Sequence, residues 1–345
     1  MMLASNQDLK NLTNELLNQA GIFSRLISIT PIRRDGNNQI YCIQCADQKY
    51  ILKKYFQHPK DKYDRLSNEF TFLSSIYKPS LYQIPKPYTK IEKYSVALYE
   101  YIDGEKLSNS AQVTESFVIQ AGHFVAELNK IHKPLLEKLI KPAKEACFSI
   151  QQHIELIDTR IEELKQARPI HSSNLEFNLV LDEIIDNWIQ IKYNVIKRAL
   201  NEALNLEQVL QLNHRILSPS DFGFHNAIIR SNQQIAFIDF EYAGWDDPAK
   251  LAGDFFSQVA IKIDPKYFNL FMQSAFGNLS NFDTIFKKTS ILLSAFKIKW
   301  CCIVLNIFLP VHLARRKFVN SSLNILKLEK QQLVKARQLL KEISL

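Results

Sequence analysis

Three polar side chains in the second half of the chain have the types and spacing that phosphoryl transfer requires. Asp221 begins a loop that ends at Asn226, and two short apolar strands joined by a turn lead from there to Asp239. A β-hairpin brings the residues at its two ends together, so Asn226 and Asp239 are expected side by side. Mg²⁺ prefers oxygen ligands and takes few of them from the protein, and these two residues would supply them. Asp221 is then expected to face the attacking hydroxyl as a base or orienting group.

The same pattern resembles a known family. An Asp-x4-Asn motif followed by an apolar strand that ends in Asp-Phe-Glu is similar to the aminoglycoside phosphotransferase and choline kinase group, relatives of the protein kinases. The segment 241–248 and the later Asp254 also resemble that group. The resemblance implies a bilobal α+β fold of protein-kinase type, with ATP and Mg²⁺ as cofactors and a small-molecule hydroxyl as acceptor. It assigns Asp254 a structural role.

Two charged residues of the N-terminal third fit the same resemblance. The strand at residues 49–54 carries Lys53, which resembles the phosphate-binding lysine because the family pattern reads apolar-Leu-Lys. Glu69, on the following helix, resembles the carboxylate that pairs with this lysine and directs its amine toward the α- and β-phosphates. Considered alone, each would be interpreted as a surface residue.

The nucleotide would also meet backbone groups. The turn at residues 35–38, with Gly36 and Asn37, occupies the place of the loop that covers the nucleotide, although it lacks the glycine density of a GxGxxG loop. Its backbone amides, with Asn37 or Asn38, would contact phosphate. Glu100, Tyr101 and Ile102 resemble the connector whose backbone meets adenine.

The catalytic loop departs from the family pattern at one position. The family usually has His two residues before the catalytic Asp, whereas this chain has Pro219, whose fixed φ would stiffen the loop. Asp221-Phe222-Gly223 spells DFG, but interpreting it as the metal-binding motif would leave Asp239 without a role. His225 is expected either to contact substrate or to be exposed or hydrogen-bonded structurally.

The elements around these motifs predict two lobes. Strands at 26–32, 39–46, 50–55 and 94–101 with a helix at 65–77 form a small N-terminal lobe, residues 1–101. Helices at 113–132, 145–166 and 175–204, a hairpin at 227–240 and further helices form the lobe at residues 102–345. The helical hairpin at about 145–204 is where this fold usually builds its acceptor pocket.

Composition is that of an ordinary globular protein and does not favour nucleic acid as a partner. Net charge is +8, but most of the excess lies from Arg315 onward, in a terminal helix interpreted as a solvated face, with RNA contact as the alternative. Cys42 and Cys45 form an isolated CxxC, interpreted as two strand residues. The apolar run at 300–309 is shorter than a bilayer requires, so no membrane span and a cytoplasmic location are predicted.

The acceptor is only broadly constrained. Acidic residues on the helical hairpin form no clear cluster for a polycationic aminoglycoside, so a sugar, an amino alcohol or a related metabolite is predicted. A catalytically impaired nucleotide-binding pseudokinase that acts as a scaffold is the alternative, because of Pro219.

Overall fold

The N-terminal lobe of the computed structural model is a five-stranded antiparallel sheet with one helix on each face. The structure describes residues 6–33, 37–131 and 133–343. The sheet has the order β1-β2-β3-β5-β4. Its elements are α1 (Asn6–Gln19), β1 (Leu26–Arg33), β2 (Gln39–Cys45), β3 (Lys49–Lys54), α2 (Arg65–Ile76), β4 (Pro87–Ile91) and β5 (Val96–Glu100).

Alternation along β3 determines which side chains face which helix. Tyr50 and Leu52 are buried in a cluster with Leu12 and Leu16 of α1, while Lys53 points to the other face, where α2 lies. The sequence analysis missed α1 and β4. A single leucine stripe on an otherwise polar segment forms α1, and β4 has no alternating apolar pattern.

The C-terminal lobe is larger and mainly helical. Its helices are α3 (Glu115–Leu128), α4 (Lys133–Leu136), α5 (Ile150–Ala167), α6 (Leu175–Asn201), α7 (Pro248–Ser257), α8 (Phe268–Phe276), α9 (Phe282–Val304), α10 (Pro310–Val319) and α11 (Ile325–Lys341). Four short strands pair antiparallel, β6 (Ile216–Ser218) with β9 (Gly244–Asp246) and β7 (Ala227–Ile229) with β8 (Ile235–Phe237). This architecture confirms the predicted α+β class with a small sheet-plus-helix lobe and a larger helical lobe.

Capping residues determine where the predicted helices begin. Thr114 accepts a hydrogen bond from the Phe117 amide, so α3 begins at Glu115, and Ser149 accepts one from the Gln152 amide, so α5 begins at Ile150. Helix α5 therefore begins five residues later than predicted.

The connector between the lobes is fixed to the β7–β8 hairpin. Glu105 and Ile229 exchange two backbone hydrogen bonds, of 2.9 and 2.8 Å. Gly104 has a φ of 149°, and a Cβ there would lie 2.4 Å from the Ile229 carbonyl oxygen. Only glycine permits so close an approach of the two backbones.

The long apolar helix α9 is the core of the C-terminal lobe. Within the described residues, the segment Phe282–Phe308 is the one helix long and apolar enough to cross a membrane, but two thirds of its apolar window is buried. Helix α9 packs against α5, α6, α7 and α11. The apolar run at 300–309 is the end of this longer helix and the turn after it, so the apolar segment is longer than the sequence run indicated.

We predict that Gly253→Ala lowers the free energy of unfolding by about 1–3 kcal/mol through overpacking between α7 and α9. An added methyl group would lie 2.0 Å from Cδ2 of Phe296. In a Phe296→Leu background, whose side chain is smaller and rotates away, the same methyl group should cost less. Urea unfolding of the four proteins measures this, and an equal cost in both backgrounds would contradict the packing explanation.

Candidate active site

The loop that carries Asp221 is held at both ends. Before the loop, strand β6 pairs with β9. Directly after Asp221, Phe222 is buried against Phe124, Phe237 and Phe255. Ser220 has a φ of 67°, in the left-handed region that non-glycine residues seldom adopt. This conformation and the buried Phe222 leave the Asp221 side chain one-third exposed, at 33%. Its carboxylate is therefore accessible to a substrate.

Pairing of β7 with β8 brings the two predicted magnesium ligands to the same end of the hairpin. Ala227 lies opposite Phe237, and the Ile238 amide donates to the Asn226 carbonyl at 2.9 Å. Asp239 follows with a φ of 71°. Like Ser220, it is a strained backbone position in the candidate site. Asn226 donates its side-chain Nδ2 to the Asp221 carbonyl at 3.0 Å, which leaves its Oδ1 to act as an acceptor or metal ligand.

Lys53 joins the two lobes through its amine. Nζ lies 2.6 Å from Glu69 Oε2 and 2.6 Å from Asp239 Oδ1. Burial alone lowers the pKa of Lys53, but the two carboxylates outweigh it and hold that pKa well above its ordinary value. The amine is therefore a permanent cation, aligned by groups from β3, α2 and the hairpin.

Glu69 is held by more than the lysine. Its Oε1 accepts the Phe240 amide at 3.0 Å, and its Oε2 accepts the Tyr55 hydroxyl at 2.7 Å. Tyr55 in turn shares a 2.7 Å hydrogen bond with Tyr99. Burial raises the pKa of Glu69, and Lys53 opposes that shift. Helix α2 is thereby attached to the residue that follows Asp239.

A buried network around Glu241 was missed by the sequence analysis. Its Oε2 accepts Asn38 Nδ2 at 2.5 Å, and Asn37 Nδ2 lies 3.4 Å from its other oxygen. Arg65 Nε lies 3.8 Å from Glu241. The loop between β1 and β2 is thus connected to the residues after Asp239. These contacts join positions more than 170 residues apart, and the Asp-Phe-Glu motif was the only local signal.

The oxygen donors fit a divalent cation at Asn226 and Asp239. Glu69, Asp239 and Glu241 also gather their carboxylates within 4.8 Å of one another. Lys53 Nζ already contacts two of those three, so that cluster carries its own cation. Asp239 is 21% exposed, and together with Asn226 it offers the hard oxygen ligands that Mg²⁺ prefers.

His225 is hydrogen-bonded to Asp221, which resolves the alternatives left by the sequence. Its Nε2 lies 3.1 Å from Asp221 Oδ1 and 3.2 Å from Asn226 Nδ2. Because a carboxylate only accepts, Nε2 carries the proton toward Asp221. A histidine four residues after the aspartate therefore holds the aspartate carboxylate in place.

The remaining predicted residues lie at the edge of this constellation. Glu100 ends β5, where its Oε2 accepts the Lys86 amide at 3.0 Å, and Ile102 is buried at the connector. Asn37 contacts Glu241, as described above. Gly36 lies outside the described residues.

A buried set of ion pairs joins α7 to β9 and to α9 next to the site. Lys250 Nζ lies 2.6 Å from Asp246, and Lys299 pairs with Asp254. Trp300 Nε1 also donates to Asp254, at 2.9 Å. Burial raises the pKa of Asp246 to about 6, despite Lys250. Asp254 thus fixes α7 to α9.

Asp247 anchors the other side of α7. Its Oδ1 caps the helix by accepting the Ala249 amide, and its Oδ2 contacts Lys288 at 2.5 Å and His153 Nε2 at 3.0 Å. Burial, with help from Lys288, lowers the pKa of His153 to about 4 against the opposing effect of Asp247. His153 is therefore neutral near pH 7.

Comparison with known proteins adds a family. A family model described as the phosphotransferase enzyme family matches residues 28–257, about two thirds of the chain. No curated protein sequence matches the chain significantly.

Solved structures of similar fold match nearly the whole chain. Choline kinase from Cryptosporidium parvum Iowa II matches with a TM-score of 0.63 at 14% identity, over 98% of this chain and 96% of that chain. An ethanolamine kinase from Plasmodium vivax gives 0.60 at 14% identity, over 96% and 89%. The streptomycin–ATP complex of the aminoglycoside phosphotransferase APH(2″)-IIa gives 0.54 at 15% identity, over 98% and 99%. These likenesses confirm the predicted protein-kinase-like fold.

We predict that stability falls on acidification partly through His153. Its pKa in the fold, about 4, lies below the unfolded value of 6.5, so its contribution is complete above pH 6.5 and is lost as the pH falls through 4. From pH 7 to 4.5 the wild type should lose about 2–3 kcal/mol more unfolding free energy than His153→Gln, which keeps a donor toward Asp247. Urea unfolding at both pH values measures this, and identical losses would contradict it.

Proposed function

Because this chain belongs to the phosphotransferase enzyme family, we propose that it transfers the γ-phosphoryl group of ATP to a hydroxyl group of a small molecule. The observation that carries the proposal is the Lys53 amine, buried between Glu69 and Asp239 at 2.6 Å from each. Asn226 and Asp221 lie on the adjoining loop. This is the arrangement that phosphoryl transfer needs, since positioning and charge supply nearly all of the catalysis.

The nucleotide would be held by groups from both lobes. Lys53, cationic at all working pH values, would contact the α- and β-phosphates, with Glu69 fixing its direction. The carboxylate of Asp239 and Oδ1 of Asn226 would hold Mg²⁺, which when bound neutralises charge on the phosphate oxygens. Gly36 and Asn37 are proposed to cover the phosphates, and the backbone of Glu100 and Ile102 to meet adenine.

Asp221 is the proposed catalytic residue. Its exposed carboxylate would accept a hydrogen bond from the acceptor hydroxyl, align the oxygen for attack on the γ-phosphorus and take up the proton. His225, donating to Oδ1, holds the carboxylate so that its other oxygen faces the acceptor. Proton transfer of this kind contributes typically 10²–10⁴-fold to the rate.

The names of the structural neighbours support this class of acceptor. A choline kinase, an ethanolamine kinase and an ATP complex with streptomycin share the fold, and all three involve small molecules. A sugar, an amino alcohol or a related metabolite remains the proposed acceptor. The lobe boundary at residues 101/102, the acceptor hairpin at about 145–204 and the cytoplasmic location also stay predictions, as does the absence of nucleic acid binding.

We predict that Asp239→Asn abolishes Mg²⁺-dependent nucleotide binding, whereas Asp221→Asn retains it and loses turnover by 10²-fold or more. The first change removes a metal ligand and half of the ion pairing of Lys53, and the second removes only the proton acceptor. Calorimetric titration with ATP and Mg²⁺, together with nucleotide consumption over a pool of metabolites, measures both.

An exposed aspartate in the first turn of α9, Asp283→Asn, provides the control for loss of a negative charge. Unchanged binding and turnover in Asp239→Asn would refute the proposed site. Tight ATP binding without turnover over any pool would favour the pseudokinase alternative instead.

We predict that His225→Ala lowers kcat about tenfold and leaves the affinity for ATP unchanged, because the side chain orients Asp221 and contacts no predicted nucleotide ligand except Asn226. His225→Gln, which keeps a donor, should retain more of the activity. If His225 bound ATP, both substitutions would instead raise the KM for ATP.

A further inference from the structure

A cavity of about 400 Å³ has four lysine or arginine residues among the thirteen that line it. It is bounded by the loop between β3 and α2, by the end of α5 and by the start of α10. This volume is within the range of small-molecule sites. Asp221, Asn226 and Asp239 do not line it, so it is separate from the proposed nucleotide site. Its basic lining residues are Lys60, Lys62, Lys144 and Arg315.

The acidic residues of the lining do not neutralise this charge. Asp61 is held by two guanidinium groups, with its Oδ2 at 2.7 Å from both Arg65 and Arg315. Glu163, the other carboxylate of the lining, is exposed at the rim. The cavity therefore has a surplus of positive charge.

Lys144 has no carboxylate partner within the described residues. Its amine rests instead on the rings of Tyr242 and Tyr63, 4.7 and 5.5 Å from their centroids. Burial, reinforced by Arg315 and Arg65, lowers the pKa of Lys144 to about 8 against the opposing effect of Glu145 and Asp61. Burying an ammonium group without an anionic partner costs free energy, and an anionic ligand would offset that cost.

Arg315 and the first turn of α10 add donors. Arg315 is 5% exposed, and its Nε has no acceptor among the described residues. Helix α10 begins at Pro310 after Leu309, which offers no side-chain cap. The first-turn amides at Val311 and His312, both of which line the cavity, have no intrahelical acceptor. The positive end of the helix dipole is added to the lysine and arginine charges.

We propose that this cavity binds a small molecule through a phosphate or carboxylate group, with Lys144, Arg315 and the first turn of α10 as its ligands. Uncapped helix amides together with an unpaired amine form a common protein site for such oxyanions. Lys62, exposed at the rim, supplies attraction at longer range.

The cavity is joined directly to the catalytic loop through Lys144. Its carbonyl lies 3.5 Å from the Ser220 hydroxyl, and its amide donates to the Tyr242 carbonyl at 3.0 Å. Given this position, the anionic group of the proposed ligand has two alternative origins. It belongs either to the acceptor itself, an extension that rests on the proposed function, or to a separate small anion that binds beside the loop.

The test is calorimetric titration with inorganic phosphate and with glycerol 3-phosphate, the nucleotide site being saturated with a non-hydrolysable ATP analogue and Mg²⁺ at constant ionic strength. Neutral glycerol is the ligand control. Lys144→Met should weaken binding of both phosphates at least tenfold, and Lys62→Met severalfold. Lys138→Met, which removes an exposed lysine outside the cavity, should equal the wild type.

Binding is measured without turnover, so failure of the proposed function does not decide it. No phosphate binding by the wild type, or equal affinity in Lys144→Met and Lys138→Met, would overturn the proposal. Because Lys62 is exposed, Lys62→Met is expected to leave the fold intact, so a weaker affinity in that variant cannot be attributed to misfolding. Phosphorylation of glycerol 3-phosphate in preference to glycerol would assign the anion to the acceptor, and binding without phosphorylation would assign it to a separate ligand.

Discussion

The ion pairs of Lys53 with Glu69 and Asp239 are the contacts on which the arrangement of the two lobes depends. They bring one strand, one helix and one hairpin to a single buried amine. A buried ion pair adds little to stability, because desolvation offsets the Coulombic gain. Loss of one partner is expensive, however, since it leaves an uncompensated charge. The sheet, α2 and the hairpin are therefore each held in the one relative position that keeps all three groups paired.

The same principle orders the layer beneath the site. Helix α7 carries Lys250 and Asp254 and is capped by Asp247, and each of these charges finds a partner on a neighbouring element. Apolar packing between α7 and α9, close enough to require Gly253, supplies the stability that these pairs do not. Charge thus fixes orientation, while hydrophobic contacts hold the elements together. The backbone at Asp221 and Asp239 is fixed to this core because a buried phenylalanine follows each of them, Phe222 and Phe240 respectively.

Local sequence predicted those parts of the site that local geometry determines. The spacing of Asn226 and Asp239 across a hairpin and the alternation around Lys53 both depend on a few consecutive residues, so the bounds of β3, β7 and β8 were predictable to within a few positions. The Glu241 network was not, because its partners come from a distant loop and helix. Helix α1 was missed since its stability comes from the sheet that it covers. The brace from His225 could have been found from its i, i+4 spacing to Asp221.

The part of the site around Lys53 and the cavity around Lys144 differ in the sign of their excess charge. On the side proposed for the nucleotide, Glu69, Asp239 and Glu241 gather around Lys53, so three carboxylates meet one ammonium group. On the α10 side, Asp61 lies between the guanidinium groups of Arg65 and Arg315, and the basic residues of the cavity lining outnumber its acidic ones. A cationic acceptor would meet repulsion there from charges that burial prevents water from screening. An acceptor whose anionic group occupied the proposed cavity would accordingly be an acidic sugar or related metabolite rather than a cationic amino alcohol.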